Sequence, residues 1–379
     1  MNIYFLLMLL TFFLALHSCR RSQKVQNKCL WIVCFLWTLV WGLRGYGVGN
    51  DTPGYAEYFD GTGTKFVGYG TVDAPGDTME PGFIIIGKFL SIFSSSPTFY
   101  FLVVAALQFS AIYCLYKDKK VALWGFLFFF IVGLGYEAAI VATRQSLSLS
   151  LVLWAVYLFE TSNISEFKFS VLKKNKRVLF GVALFTFALF THRTSILIFP
   201  VLILIYFWKL NKKTAYIVVS LIFLITLVIP NSIKTIIDLS LSQISLFANE
   251  SINLLGSRYE NTFDSNITLL KIILWALPVY TCLYYTPKDK INSFTFKCLI
   301  VSIALNLLLT GTSMIERLSI TFTILGFRSF VPVEVTRNKR IVMIFILSTV
   351  LFLARTYKGF ALWDTKADSI VPYYFFWEK

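Results

Sequence analysis

Apolar residues in this chain come in long blocks rather than in a two-residue or 3.6-residue alternation. The blocks run for about 15–20 residues, and a helix needs roughly 20 to cross the hydrocarbon core of a bilayer. Backbone polar groups cannot be left unpaired in lipid, so a spanning segment is a helix or part of a closed barrel, and unbroken apolar blocks indicate helices. The pattern predicts helices near 1–18, 29–43, 97–116, 121–138, 143–160, 178–192, 195–209, 214–230, 269–286, 294–310, 318–333 and 341–354. The expected fold is all-α, a polytopic integral membrane protein of about 12 transmembrane helices. One block departs from the rule. Pro81–Phe93 (PGFIIIGKFLSIF) is too short to cross easily and carries Lys88 at its middle. It reads as a re-entrant or interfacial helix, the alternative being a tilted span whose Lys88 snorkels to the headgroups.

Composition agrees with this picture. Of 379 residues, 57% are hydrophobic, and the mean hydropathy is +0.70. A net charge of +15 would suggest nucleic acid if it were concentrated. Instead it is spread over connectors, as the positive-inside rule requires, and no nucleic-acid partner is expected. Connectors around Arg20–Lys28, Lys117–Lys120, Lys168–Arg177, Lys209–Lys213, Lys288–Lys290 and Arg337–Arg340 hold 20 of the 35 basic residues. The alternate connectors hold 15 of the 20 acidic ones. This bias places the first group in the cytoplasm and both termini outside. The six cysteines lie in spans or near basic ends, with no CxxC pair, so neither disulfides nor thiolate metal sites are expected. No shift in composition divides the chain, which reads as a single membrane domain over 1–379. Two external loops are long, 44–80 and 231–268, and within the second, Ile233–Phe247 reads as an amphipathic surface helix.

Candidate chemistry gathers at the outer helix ends. Arg44-Gly45-Tyr46-Gly47-Val48-Gly49-Asn50-Asp51-Thr52 opens the first loop. Its alternating glycines allow a tight turn and close approach to a ligand; the alternative is a glycine cap with Arg44 at the headgroups. Arg144-Gln145 starts an apolar helix, where a guanidinium suits bidentate contact with phosphate or pairs with Glu137. Thr191-His192-Arg193-Thr194-Ser195 forms a turn between two helices, and its histidine can move protons or donate to phosphate. Arg317 and Arg355 occupy two more outer helix ends. With Arg44, Arg144 and Arg193 they make five arginines on the face that the positive-inside rule depletes, which points to an anionic ligand, most simply a pyrophosphate. Tyr46, Tyr55, Tyr58, Tyr69 and Tyr259 are available to stack on sugar rings. No HExxH motif is present and the two histidines are distant, so a histidine-rich metal site is excluded, and no cofactor is expected.

With these residues in view the chain resembles the EpsG family of exopolysaccharide proteins, related in role to Wzy-type O-antigen polymerases. The residues that carry the resemblance are Arg44-Gly45-Tyr46-Gly47-Val48-Gly49-Asn50-Asp51 with Tyr55, then Glu80-Pro81-Gly82-Phe83, Arg144-Gln145, and His192-Arg193-Thr194-Ser195. Asn50, where Thr or Ser is common, and the stretch Lys65–Asp77 depart from the family pattern. The resemblance implies a glycosyltransferase that joins undecaprenyl-pyrophosphate-linked oligosaccharides on the outer face of the bacterial cytoplasmic membrane. Its partners would be those lipid-linked units, the bilayer and other polysaccharide-export proteins. On that reading Asp51, Glu80 and His192 are candidates for the base, and Arg44, Arg144, Gln145, Arg193, Arg317 and Tyr259 for substrate binding.

Two rival functions fit the same spans. A flippase for the lipid-linked oligosaccharide would need access from both faces and basic residues at mid-depth, where Arg328 is the strong candidate. A sugar acyltransferase would want its histidine reachable from the cytoplasm, whereas His192 is expected outside.

Overall fold

The structure is a computed structural model that describes residues 3–49, 52–57, 59, 80–119, 123–127, 143–162, 175–192, 195–228, 269–308, 313–329, 343, 346–347, 350, 373 and 375–378. The expected surface helix Ile233–Phe247, most of the 121–138 and 341–354 blocks and the Lys65–Asp77 stretch lie outside the described residues. Regular structure among the described residues is helical, with one isolated antiparallel bridge between Arg44 and Phe375. The chain gathers into two compact units. One comprises Met1–Leu123, Leu134–Phe199 and Lys358–Lys379, the other Trp124–Gly133 and Pro200–Tyr357.

The first unit holds α1 (Ile3–Ser18), α2 (Gln23–Gly42), α3 (Thr52–Glu57), α4 (Pro81–Ser91), α5 (Pro97–Tyr116), α6 (Thr143–Thr161), α7 (Lys176–Thr191) and the start of α8 (Ser195–Phe207). At 20 residues each, α2 and α5 match the thickness of a bilayer core, about 30 Å. They run antiparallel. A methyl group on Gly42 would lie 2.6 Å from Leu102 Cα, while at the other end Asn27 Nδ2 donates to Asp118 Oδ1 at 2.7 Å. The missing side chain lets the two backbones approach, as in helix pairs packed in lipid. The pair α6 and α7 is also antiparallel: Ser148 Oγ donates to the Ala188 carbonyl at 2.9 Å, and Arg177 Nη1 to that of Thr161 at 3.2 Å.

Helix starts follow local chemistry. Pro81 and Pro97 stand in the first turns of α4 and α5, where a missing N–H costs nothing. Asn175 caps α7 by accepting from the Arg177 amide. In contrast, α2 begins at Gln23 rather than near residue 29. Its polar first turns carry on the helical bonds, with Gln23 Nε2 donating to Asn27 Oδ1 at 3.0 Å. The apolar pattern marks what lipid covers, and the hydrogen-bond ladder continues past it. Hydroxyls inside apolar helices turn back to the carbonyl four residues earlier, as Thr11, Thr38 and Ser150 do.

The 11-residue α4 rises about 16 Å, half of a bilayer core. Glu80 at its start bonds to Arg144 in the first turn of α6, and Thr143 beside it bonds to Arg44 at the end of α2. Pro97, five residues after Ile92, opens α5 at that same end of the unit, next to the α2 terminus. The chain therefore enters α4 and starts α5 at the same end of the unit. Helix α4 buries Phe83 and Leu90 in a cluster with Tyr55, Phe59, Tyr100 and Phe101, and leaves Ile85 and Phe89 exposed, as are Ile92 and Phe93 just beyond it.

The second unit holds α9 (Lys212–Val228), α10 (Leu269–Tyr285), α11 (Phe294–Leu308) and α12 (Ser313–Phe327). Here too a glycine brings backbones together, a methyl on Gly326 lying 2.6 Å from Leu299 Cα. Lys297, almost wholly buried, spends its charge on the Trp208 carbonyl at 2.7 Å. Large apolar side chains stay exposed throughout, among them Phe13, Phe180, Leu204, Phe207 and Val228. Such faces would aggregate in water and are those of a membrane protein.

Candidate functional site

Gly49 adopts φ 88°, a left-handed conformation that side chains resist. That turn lets the chain reverse after Arg44, the Thr52 amide donating to the Gly49 carbonyl at 3.0 Å, and α3 starts at once. Tyr55 on α3 is thereby buried (3% exposed) beside Phe83, their ring centroids 5.7 Å apart. On the α4 side, Gly82 permits another close approach. A methyl there would lie 2.8 Å from the Phe190 backbone near the end of α7. Glu80 is thus delivered beside His192, the residue that ends α7.

Four side chains converge. Arg144 Nη1 donates to Glu80 Oε2 at 2.9 Å, and Arg144 Nε to the Tyr55 hydroxyl at 3.1 Å. His192 Nδ1 lies 3.1 Å from Glu80 Oε1. Both carboxylate oxygens are therefore engaged. Burial pushes the Glu80 carboxyl up, but the His192 hydrogen bond and the Arg144 charge outweigh it and hold the group down at about 2. An ionised carboxylate accepts and cannot donate, so the proton between the two groups sits on Nδ1 of His192. Nε2 is buried and has no hydrogen-bond partner among the described residues. Arg144 keeps 27% of its side-chain exposure, against 10% for Glu80 and 14% for His192. The cluster consequently offers a partly open cation, a fixed anion and an imidazole with one nitrogen uncommitted.

The turn that carries His192 is pinned from beneath. Ser195 Oγ hydrogen-bonds to Ser148 Oγ one turn along α6 from Arg144, and the Ser195 amide donates to the His192 carbonyl at 3.1 Å. One helix therefore positions both the guanidinium and the histidine turn.

Of the expected site residues, the structure brings Glu80, Arg144 and His192 into direct contact. Arg144 pairs with Glu80, while Glu137 lies outside the described residues. Arg44 is 3% exposed and bonds to Thr52, Thr143 and the Trp41 carbonyl. Gln145 is buried in the first turn of α6. Asp51, Arg193 and Tyr259 lie outside the described residues; Arg317 belongs to α12 in the second unit, its side chain also outside them. The sequence reading missed the roles of Tyr55, Thr52 and Thr143. Tyr55 was available as a stacking surface, and its hydroxyl instead accepts from Arg144. Thr143 carried one faint signal, its place directly before Arg144.

No curated protein and no solved structure matches this chain. The EpsG family model does, over residues 27–375, and that family is membrane-associated and linked to polysaccharide biosynthesis. The matched stretch takes in the glycine turn after Arg44, the Glu80–Arg144–His192 cluster and the bridge to Phe375, so fold and site alike fall inside it: the chain belongs to the EpsG family.

Proposed function

We propose that this protein polymerises oligosaccharide repeat units carried on undecaprenyl pyrophosphate, at the outer face of the bacterial cytoplasmic membrane, with both termini outside. The observation that carries the reading is the Glu80 carboxylate shared between Arg144 and His192. Glycosyl transfer from a pyrophosphate breaks the bond between the anomeric carbon and phosphate oxygen while an acceptor hydroxyl oxygen attacks that carbon. The leaving pyrophosphate gathers negative charge and the hydroxyl sheds a proton. Arg144 supplies a fork of donors to the phosphate oxygens. His192 takes the hydroxyl proton at Nε2, its ring held in the right tautomer by Glu80 through Nδ1, the arrangement that orients histidine bases generally. Glu80, held at about 2, is a weak base and a good anchor. Arg193 is a further candidate for the pyrophosphate, and Asp51 for the base.

The test is mass spectrometry of lipid-linked oligosaccharides in a deletion strain, with sidedness read by an impermeant sugar-oxidising label. Single repeat units accumulating outside, without polymer, are expected. Units trapped inside would instead indicate a flippase. In the complemented strain Arg144→Ala should abolish polymer while the protein remains in the membrane. Chains of normal length from that variant would remove Arg144 from the site.

A further inference from the structure

Arg44 has the sequence signature of a ligand contact and the surroundings of a brace. Its guanidinium donates three ways, from Nε to Thr52 Oγ1 at 3.2 Å, from Nη1 to the Trp41 carbonyl at 2.8 Å and from Nη2 to Thr143 Oγ1 at 3.2 Å. Phe101 covers it, with Cζ 4.3 Å from the ring centroid. The two threonines open α3 and α6. Three residues after Thr52 comes Tyr55, and directly after Thr143 comes Arg144, the pair joined by the 3.1 Å hydrogen bond. A planar fork fixes distances and angles together, which a lysine ammonium does not. Arg44 therefore sets the separation of the two segments that hold Arg144.

A second set of contacts fixes Arg44 itself. Tyr373 and residues 375–378 fold back over the end of α2 as a strap. Tyr373 donates its hydroxyl proton to the Val40 carbonyl at 2.7 Å, and the Phe376 amide donates to the Leu43 carbonyl at 3.1 Å. Val40 belongs to the last turn of α2, where carbonyls lack helical partners; Arg44 satisfies Trp41 in the same turn. Phe375 bridges Arg44 and stacks on Trp377, with centroids 4.4 Å apart and planes within 5°. Glu378 Oε2 accepts from the Phe375 amide at 2.8 Å and closes the strap on itself.

We infer that Arg44 and the strap formed by Tyr373 and Phe375–Glu378 are positioning elements that hold Arg144 against Tyr55 and Glu80, and that Arg44 makes no contact with substrate. The part of this that concerns turnover rests on the polymerase reading. The experiment uses full-length protein in detergent and in reconstituted vesicles, with purified lipid-linked repeat units as the probe. Hydrogen exchange of the amides in 45–57 is read beside kcat and KM for wild type, Arg44→Lys, Thr143→Val, Thr143→Ser and Tyr373→Phe. Misplacing a reacting group by about 1 Å costs about 100-fold. Arg44→Lys and Thr143→Val should each lower kcat by about that factor with KM within about twofold, and the double variant should be no worse than either alone. Thr143→Ser restores the hydroxyl and should restore kcat. Tyr373→Phe should speed exchange in 45–57 and lower kcat in the same sense.

A large rise in KM for Arg44→Lys with Thr143→Val at wild-type activity would overturn the inference, since Arg44 would then touch substrate. Unchanged exchange in Tyr373→Phe would overturn the role of the strap. Wild-type protein that makes no polymer, yet shows faster exchange in the Tyr373→Phe and Thr143→Val variants, would remove the polymerase reading and leave the brace standing.

Discussion

Glu80 occupies the N-cap position of α4, where a carboxylate ordinarily accepts from amides of the first turn; it makes no such bond. Forgoing a cap costs about 1 kcal/mol, and both oxygens go to Arg144 and His192 instead. Glu80→Gln should therefore lower stability by about 3 kcal/mol at neutral pH, because it leaves Arg144 facing a neutral group. The pH dependence follows from the direction of the shift. The folded-state carboxyl is depressed to about 2 from 4.5, so its contribution is complete above about 4.5 and is lost as pH falls through 2. Thermal unfolding in detergent should show a constant gap between wild type and variant from pH 7 to 5, closing below. At this scale much of the site was legible. A charged residue at the end of an apolar helix is costly unless it has work to do, and Glu80, Arg144 and His192 all stand there. Thr52 and Thr143 were not legible, since a threonine near a helix start is common and says nothing of a shared partner, Arg44, that lies 8 positions from one and 99 from the other. Nor did Arg44 announce its burial, because sequence gives the presence of a guanidinium and not the cover over it.

Among elements, α4 shows how a short helix becomes specific. Its register on α7 is set by contact between the Gly82 Cα and the Phe190 backbone. Gly82→Ala places a carbon 2.8 Å from that backbone, and neither side can yield cheaply because both are main chain. Overpacking of this kind costs about 1–3 kcal/mol. It should also displace Glu80 from His192, so polymer yield is expected to fall further than stability alone would bring about. Ile85→Ala, on the exposed face of the same helix, serves as the control and should leave yield unchanged. The helices were legible where composition punctuates them, as at Pro97 and Asn175. They were blurred where polar turns extend them, as at Gln23. The helix α3 was invisible, because TPGYAE carries both a proline and a glycine and reads as a turn; burial of Tyr55 and Ala56 holds it in shape.

Across the whole molecule, the sorting of basic and acidic connectors argues for orientation. If the Arg144–His192 end faces outward, a reporter inserted after Arg193 should label from outside intact cells. Cytoplasmic labelling there would reverse the topology and revive an acyltransferase. The strap adds something about time. Val40 and Tyr373 are 333 positions apart, and chains are made at about 5–20 residues per second. The end of α2 thus waits about 20–70 s for the groups that cap it. Until then Arg44 has no strap across it and the seat of Arg144 is incomplete. A nascent chain already threaded into the membrane therefore lacks the contacts that hold Arg144 in its seat, and a residue made 333 positions after Val40 completes them.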